Sequence, residues 1–236
     1  MLKIDGADNF RRTLVGLCLI IAPLVLLLGN IIHPGGKGGA GLVNMMAEHP
    51  GRVEAASLLI IFSSVFFVPA LVGLLYLLRD RGVVLGHIGV GLALIGVVVG
   101  HAVWAGFQIV LLGFVQNGVD RGQLSAIADS GPLNVGFVIV LLMFLVGFFV
   151  GLIILAISLW RGRAAPLWVA ACIIAAVVWD FIPLPGIAEV EIGPALLFVG
   201  LGWIGLKVLR MSDADWERGN LPSSGGLGVG AQPRVQ

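Results

Sequence analysis

Apolar residues run in six long blocks, at about 13–32, 56–78, 83–104, 133–159, 166–182 and 192–209, with charged or glycine-rich stretches between them. A membrane-crossing helix needs roughly 20 such residues. Backbone groups in lipid must be paired inside a helix or around a closed barrel. The blocks lack the period-2 alternation of barrel strands, so each predicts a helix. The expectation is an all-α, polytopic transmembrane bundle of six helices over residues 13–210. A short segment, 1–12, precedes it. The Gly/Ser/Pro-rich stretch 211–236 is expected to be a disordered tail, with Trp216 touching the membrane surface.

Block three breaks the pattern by its length. It stays almost wholly apolar from Val83 toward Val115. That is about 50 Å of helix at ~1.5 Å per residue, against a hydrocarbon core of ~30 Å. The excess must tilt, project outward or fold back as a re-entrant segment. His87, Leu94, His101 and Gln108 recur every seven residues, which predicts a single polar face turned toward protein. The spacings Gly82-xxx-Gly86 and Gly96-xxx-Gly100 allow close helix contact. Block three is therefore expected at the centre of the bundle.

Composition agrees. Hydrophobic residues make up 58% of the chain and charged residues 11%, and mean hydropathy is +1.06. Soluble domains average about 25% charged residues. A net charge of +1 offers no basic face for nucleic acid. Cys18 and Cys172 fall inside apolar blocks and read as packing residues.

Charge placement sets the orientation. Of the 14 Lys and Arg, all but Lys37, Arg52 and Arg121 lie in alternate loops or at the termini. Basic loops face the cytoplasm, so the chain is expected in the cytoplasmic (inner) membrane with both termini inside. Block one ends in Gly29-Asn30-Ile31-Ile32-His33-Pro34, which is not a signal-cleavage site, so it is expected to remain. The outer loop 33–55 is Gly-rich at first but lacks a phosphate-loop pattern. Its second half has the makings of a short interfacial helix. Gly131-Pro132 places proline at the start of block four, and 183–191 makes blocks five and six a tight hairpin. No convincing internal repeat is visible.

This frame assigns a depth to each polar residue. His33, His101 and Asp180, with Asn30, Trp104 and Gln108, are expected to gather toward the outer side, with Glu189 and Glu191 above them. Ionisable residues in a membrane mark function by default. His101 with Asp180 suits a ligand- or proton-binding pair of a small transporter-like protein, with Pro23, Pro69, Pro166 and Pro194 as helix breaks. His33, His49 and His101 are the candidate ligands for haem or a divalent metal. His87 and His101 lie about 21 Å apart on one helix, so they cannot clamp one haem. A lipid-modifying enzyme is the remaining reading, yet Ser63 and Ser64 have no visible base and the membrane holds one acid. The leading expectation is a non-catalytic subunit that associates with lipid, with a membrane-protein partner or with a second copy of itself.

One set of local patterns carries a resemblance. The first helix ends in His33-Pro34, the loop closes on His49-Pro50-Gly51-Arg52, and the second helix carries Val68-Pro69-Ala70-Leu71 and ends in Leu77-Leu78-Arg79. This resembles a group of uncharacterised small bacterial multi-pass membrane proteins over about the first third of the chain. The resemblance implies no activity and transfers no functional residue.

Overall fold

The computed structural model describes residues 5–36, 38–130, 135–179 and 188–218. Every regular element among them is helical. In chain order these are α1 (Asp5–Ile32), α2 (Gly38–Glu48), α3 (Pro50–Leu77), α4 (Val83–Gln116), α5 (Arg121–Ser130), α6 (Val135–Arg161), α7 (Leu167–Trp179), α8 (Ala188–Leu209) and α9 (Asp213–Arg218). Five are long and apolar enough to cross a membrane: α1, α3, α4, α6 and α8. The described part of α7 has 13 residues, about 20 Å. Block five was expected to reach residue 182, and residues 180–187 lie outside the described set.

The long helices close into a ring. Each of α1, α3, α4, α6, α7 and α8 packs on the next, and α8 returns to pack along α1. One core cluster runs through all six, from Leu19 of α1 through Phe67, Ala93, Leu155 and Ile173 to Ile204 of α8. Sequence neighbours are thus neighbours in space, as short connections require.

Glycine sets the closest contact, between α4 and α6. A Cβ on Gly89 would lie 2.6 Å from the backbone nitrogen of Leu155, and one on Gly147 would lie 2.6 Å from that of Gly96. Gly151 meets Ala93 in the same way. Lipid supplies no hydrophobic drive between helices, so dispersion contact through small residues is what holds such a seam. At this level both helices widen into a π-helical turn, Gly96–His101 in α4 and Leu145–Val150 in α6, and the two turns pack on each other.

The widened turn corrects the single polar face expected on block three. A π turn takes up one extra residue, so it shifts the helix phase by about 100°. His101 and Gln108 therefore stay together inside the bundle. His87 is turned away, exposed, with Nδ1 on the Val83 carbonyl of its own helix at 2.7 Å. Over its full length α4 is one continuous helix and not a re-entrant segment. Its far end is covered by α2 and α5, which bury Val43, Met46 and Leu124 against Leu111 and Leu112. The stretch expected to form a short interfacial helix in the second half of loop 33–55 is divided: residues up to Glu48 belong to α2, which begins at Gly38, and those from Pro50 belong to α3. The Gly39 amide donates to Asp129 Oδ1 at 2.6 Å and joins α2 to α5. This is the capped end of the bundle.

Both described chain ends lie together at the opposite end. Arg12 of α1 donates to the Met211 carbonyl and pairs with Asp213 at 3.2 Å. Here the structure departs from the expectation of a disordered tail beginning at 211. Residues 213–218 form α9, and Trp216 is 2% exposed. Its ring stacks on Tyr76 at 4.7 Å, and the Arg79 guanidinium lies over the Tyr76 ring at 4.1 Å. Burying the indole offsets part of the cost of ordering this turn, and the Arg12 contacts to Met211 and Asp213 add to it. Residues 219–236 lie outside the described set. Trp216→Ala is expected to free this segment without unfolding the ring. Limited proteolysis should then cut between Met211 and Arg218 several-fold faster while the remaining bundle stays intact; equal rates in the two proteins would show that the stack does not hold α9.

Candidate functional site

A cavity of about 610 Å3 lies inside the ring, in the half nearer the capped end. All six ring helices contribute to its wall: Asn30 from α1, with His33 just past its end, Ile60 from α3, His101 and Gln108 from α4, Phe148 from α6, Val177 from α7 and Leu197 from α8. The volume falls in the range of small-molecule sites, ~300–1,000 Å3.

Its polar groups are few and placed on two helices. α1 ends at Ile32, and the His33 amide still bonds back to the Gly29 carbonyl at 3.0 Å. This keeps the imidazole at the helix end, where Nε2 lies 2.8 Å from Gln108 Oε1. Gln108 itself is 2% exposed. Asn30 spends its amide on the Leu26 carbonyl at 2.8 Å, a local bond that needs no partner helix. His101 sits on the π turn with its ring against Phe148 at 4.6 Å and Phe144 at 5.5 Å. Its Nδ1 is buried and has no hydrogen-bond partner among the described residues. Gly100 beside it is required, because a Cβ there would run into the Phe144 ring.

The wall has a weak side. Packing of α4 on α6 stops at the π turn, and the half of α4 beyond His101 makes no more than marginal contact with α6. Val103, Trp104 and Leu141 line the cavity at this place and are 48%, 46% and 37% exposed. The cavity therefore opens sideways, through the flank of the bundle. A second, more polar hollow lies at the capped end and is lined by Asn44, Glu48, His49 and Arg52. His33 borders both spaces.

The expected site residues sort as follows. His33, His101, Trp104 and Gln108, with Asn30, do line one cavity. His49 does not join them; it is exposed, and lines the polar hollow. No group of three His, Cys, Asp or Glu suited to a metal ion forms among the described residues, and the Nε2 of His33 is already engaged by Gln108. Asp180, the expected partner of His101, lies outside the described residues, as do the side chains of Glu189 and Glu191. Ser63 and Ser64 both donate to the Ile60 carbonyl, at 2.7 and 3.1 Å, so neither hydroxyl faces a base. Helices run through Pro23, Pro69 and Pro194 without ending; of these only Pro194 reaches the cavity. Sequence reasoning missed the phenylalanine wall of α6. Phe144, Phe148 and Phe149 sit in a uniformly apolar block, and nothing in their spacing distinguishes a cavity wall from a lipid face. No family model, no curated protein and no solved structure matches the chain.

Proposed function

We propose that the chain is a non-catalytic, multi-pass membrane protein that binds one apolar, lipid-derived molecule in the central cavity. One observation carries this reading. An apolar cavity walled by all six ring helices opens through the side of the bundle between α4 and α6, which is where a molecule dissolved in lipid would enter. An association role alone needs no such space, because packed helices leave few voids larger than a water molecule. The basic residues Arg79, Arg81, Arg161, Arg163, Lys207 and Arg210 all fall at the end that holds the chain termini. Basic loops favour the cytoplasm, so this reading places that end inside and the capped end outside, in the cytoplasmic membrane. On it, α7 is the sixth pass.

A transport role is the second reading, and the polar hollow beyond His33 favours it. It requires Asp180 beside His101. The resemblance to small bacterial membrane proteins fits either reading.

Purified protein, extracted with organic solvent and analysed by mass spectrometry, is expected to release a single class of apolar molecule in about equimolar amount. Release of only the bulk membrane lipids, in their membrane proportions, would refute the specific-cavity reading. An absorption band of haem, or metal in stoichiometric amount, would move the assignment to the cofactor readings.

A further inference from the structure

We infer that the cavity selects an uncharged amphiphile with a hydroxyl head, which it holds at His101 with its chain along the phenylalanine wall. This rests on the proposed lipid-binding role and deepens it.

Three observations lead here. The first is the orphaned nitrogen. His101 Nδ1 is buried with no hydrogen-bond partner among the described residues. A buried polar atom without a partner costs free energy that a ligand can recover by supplying one. An imidazole nitrogen donates or accepts according to tautomer. A hydroxyl does both, so it satisfies Nδ1 in either state.

The second observation is charge. No Lys, Arg, Asp or Glu is among the described residues of the cavity wall. A phosphate or carboxylate head would lie in an apolar space with no Lys or Arg among the described wall residues to pair it, which is a severe desolvation cost. Phosphate-headed lipids are disfavoured on this ground, however well their chains fit.

The third is shape and direction. Asn30, His33 and Gln108 lie toward the end where the polar hollow begins, and His101 lies about 10 Å further in, its ring on Phe148. The deeper wall is Leu26, Phe148, Phe149 and Leu197. From Leu26 to His33 the helix rises about 10 Å, which is the reach of the wall between the two levels. Entry is sideways past Trp104, so the head crosses the aromatic rim and stops at the first unpaired polar atom it meets.

The test uses the whole protein in phosphatidylcholine vesicles with three brominated probes of equal chain length: an alkane, a primary alcohol and a carboxylate. Bromine quenches indole fluorescence, and Trp104 lines the cavity. The cavity-specific part of the quenching is the part lost in an Ala176→Phe protein, whose added ring occupies the cavity. The alcohol is expected to reach half-maximal quenching at about one-tenth the bilayer mole fraction of the alkane, the scale of one hydrogen bond gained by an orphaned buried group. The carboxylate at pH 8 is expected to do no better than the alkane. His101→Phe preserves the aromatic packing with Phe144 and Phe148 and removes the nitrogen; it should abolish the preference for alcohol and leave alkane quenching in place. Equal quenching by alcohol and alkane in the natural protein, or strongest quenching by the carboxylate, would overturn the head-group assignment and leave the lipid-binding role standing. Cavity-specific quenching by none of the three would overturn the lipid-binding role itself.

Discussion

Gly147→Leu is expected to prevent the bundle from forming, and Gly91→Leu to leave it intact. The two substitutions add the same atoms to adjoining parts of one helix pair. At Gly147 the new Cβ would lie 2.6 Å from the Gly96 nitrogen and 2.8 Å from the Leu92 carbonyl oxygen. Those atoms are backbone, and no rotamer change can move them away. Overpacking costs about 1–3 kcal/mol where side chains can shift, so a backbone clash should reach or exceed the upper figure. The displacement would also spread, because Gly151 and Gly89 hold the same seam. At Gly91 nothing lies within 4 Å and the position is exposed. Leucine there faces outward, and it also improves helix propensity over glycine. The measurement is the fraction of detergent-solubilised protein that stays monodisperse after heating. Gly147→Leu should be lost at temperatures well below the natural protein, and Gly91→Leu should match it. Equal survival of both variants would mean that α4 and α6 do not meet at this seam.

A second large effect is expected from closing the cavity. Ala176 is 4% exposed and forms part of the cavity wall, whereas its neighbour Ala175 is exposed on the outer face of α7. Ala176→Phe directs a ring into the cavity; Ala175→Phe directs the same ring into lipid. Overlap between the ring and a bound chain should cost on the order of 1–3 kcal/mol, which is roughly a five- to 150-fold loss of affinity. The molecule extracted from purified protein should therefore fall about tenfold in Ala176→Phe and stay equimolar in Ala175→Phe. The pair controls for stability, because both proteins carry the same added surface and both can be checked for monodispersity. Full occupancy in Ala176→Phe would place the molecule outside the ring and defeat the cavity reading.

Much of this architecture was legible because lipid imposes a simple rule on sequence. Residues 13–32, 56–78, 83–104, 133–159 and 192–209 had to be helical, since any other backbone in hydrocarbon leaves its polar groups unpaired. The observed helices are longer at their polar ends for reasons that hydropathy does not record. α1 starts at Asp5 because Arg12 finds the Met211 carbonyl and Asp213. α3 starts at Pro50, a residue suited to the first helical turn. The gathering of His33, His101, Trp104 and Gln108 was also legible. Depth along a spanning helix follows from residue number, so polar groups at similar depth in a small ring have few places to go.

The sequence by itself determined that this chain is helical, lies in a membrane, and carries His33, His101 and Gln108 in one half of it. Those properties follow from composition and from spacing along single segments, where each residue's effect is nearly independent of the rest. Only the tertiary structure decided which faces of those helices meet. The π turns at Gly96–His101 and Leu145–Val150 turn His87 outward and His101 inward, and no regular period encodes a phase shift of that kind. The same holds for the ring closed by α8 on α1, for Trp216 stacked on Tyr76, and for the gap between α4 and α6. Each depends on contacts between residues far apart in the chain, and in lipid those contacts are set by close fit, which apolar sequences do not display. The cavity and its unpaired nitrogen exist only because six such fits leave one space unfilled.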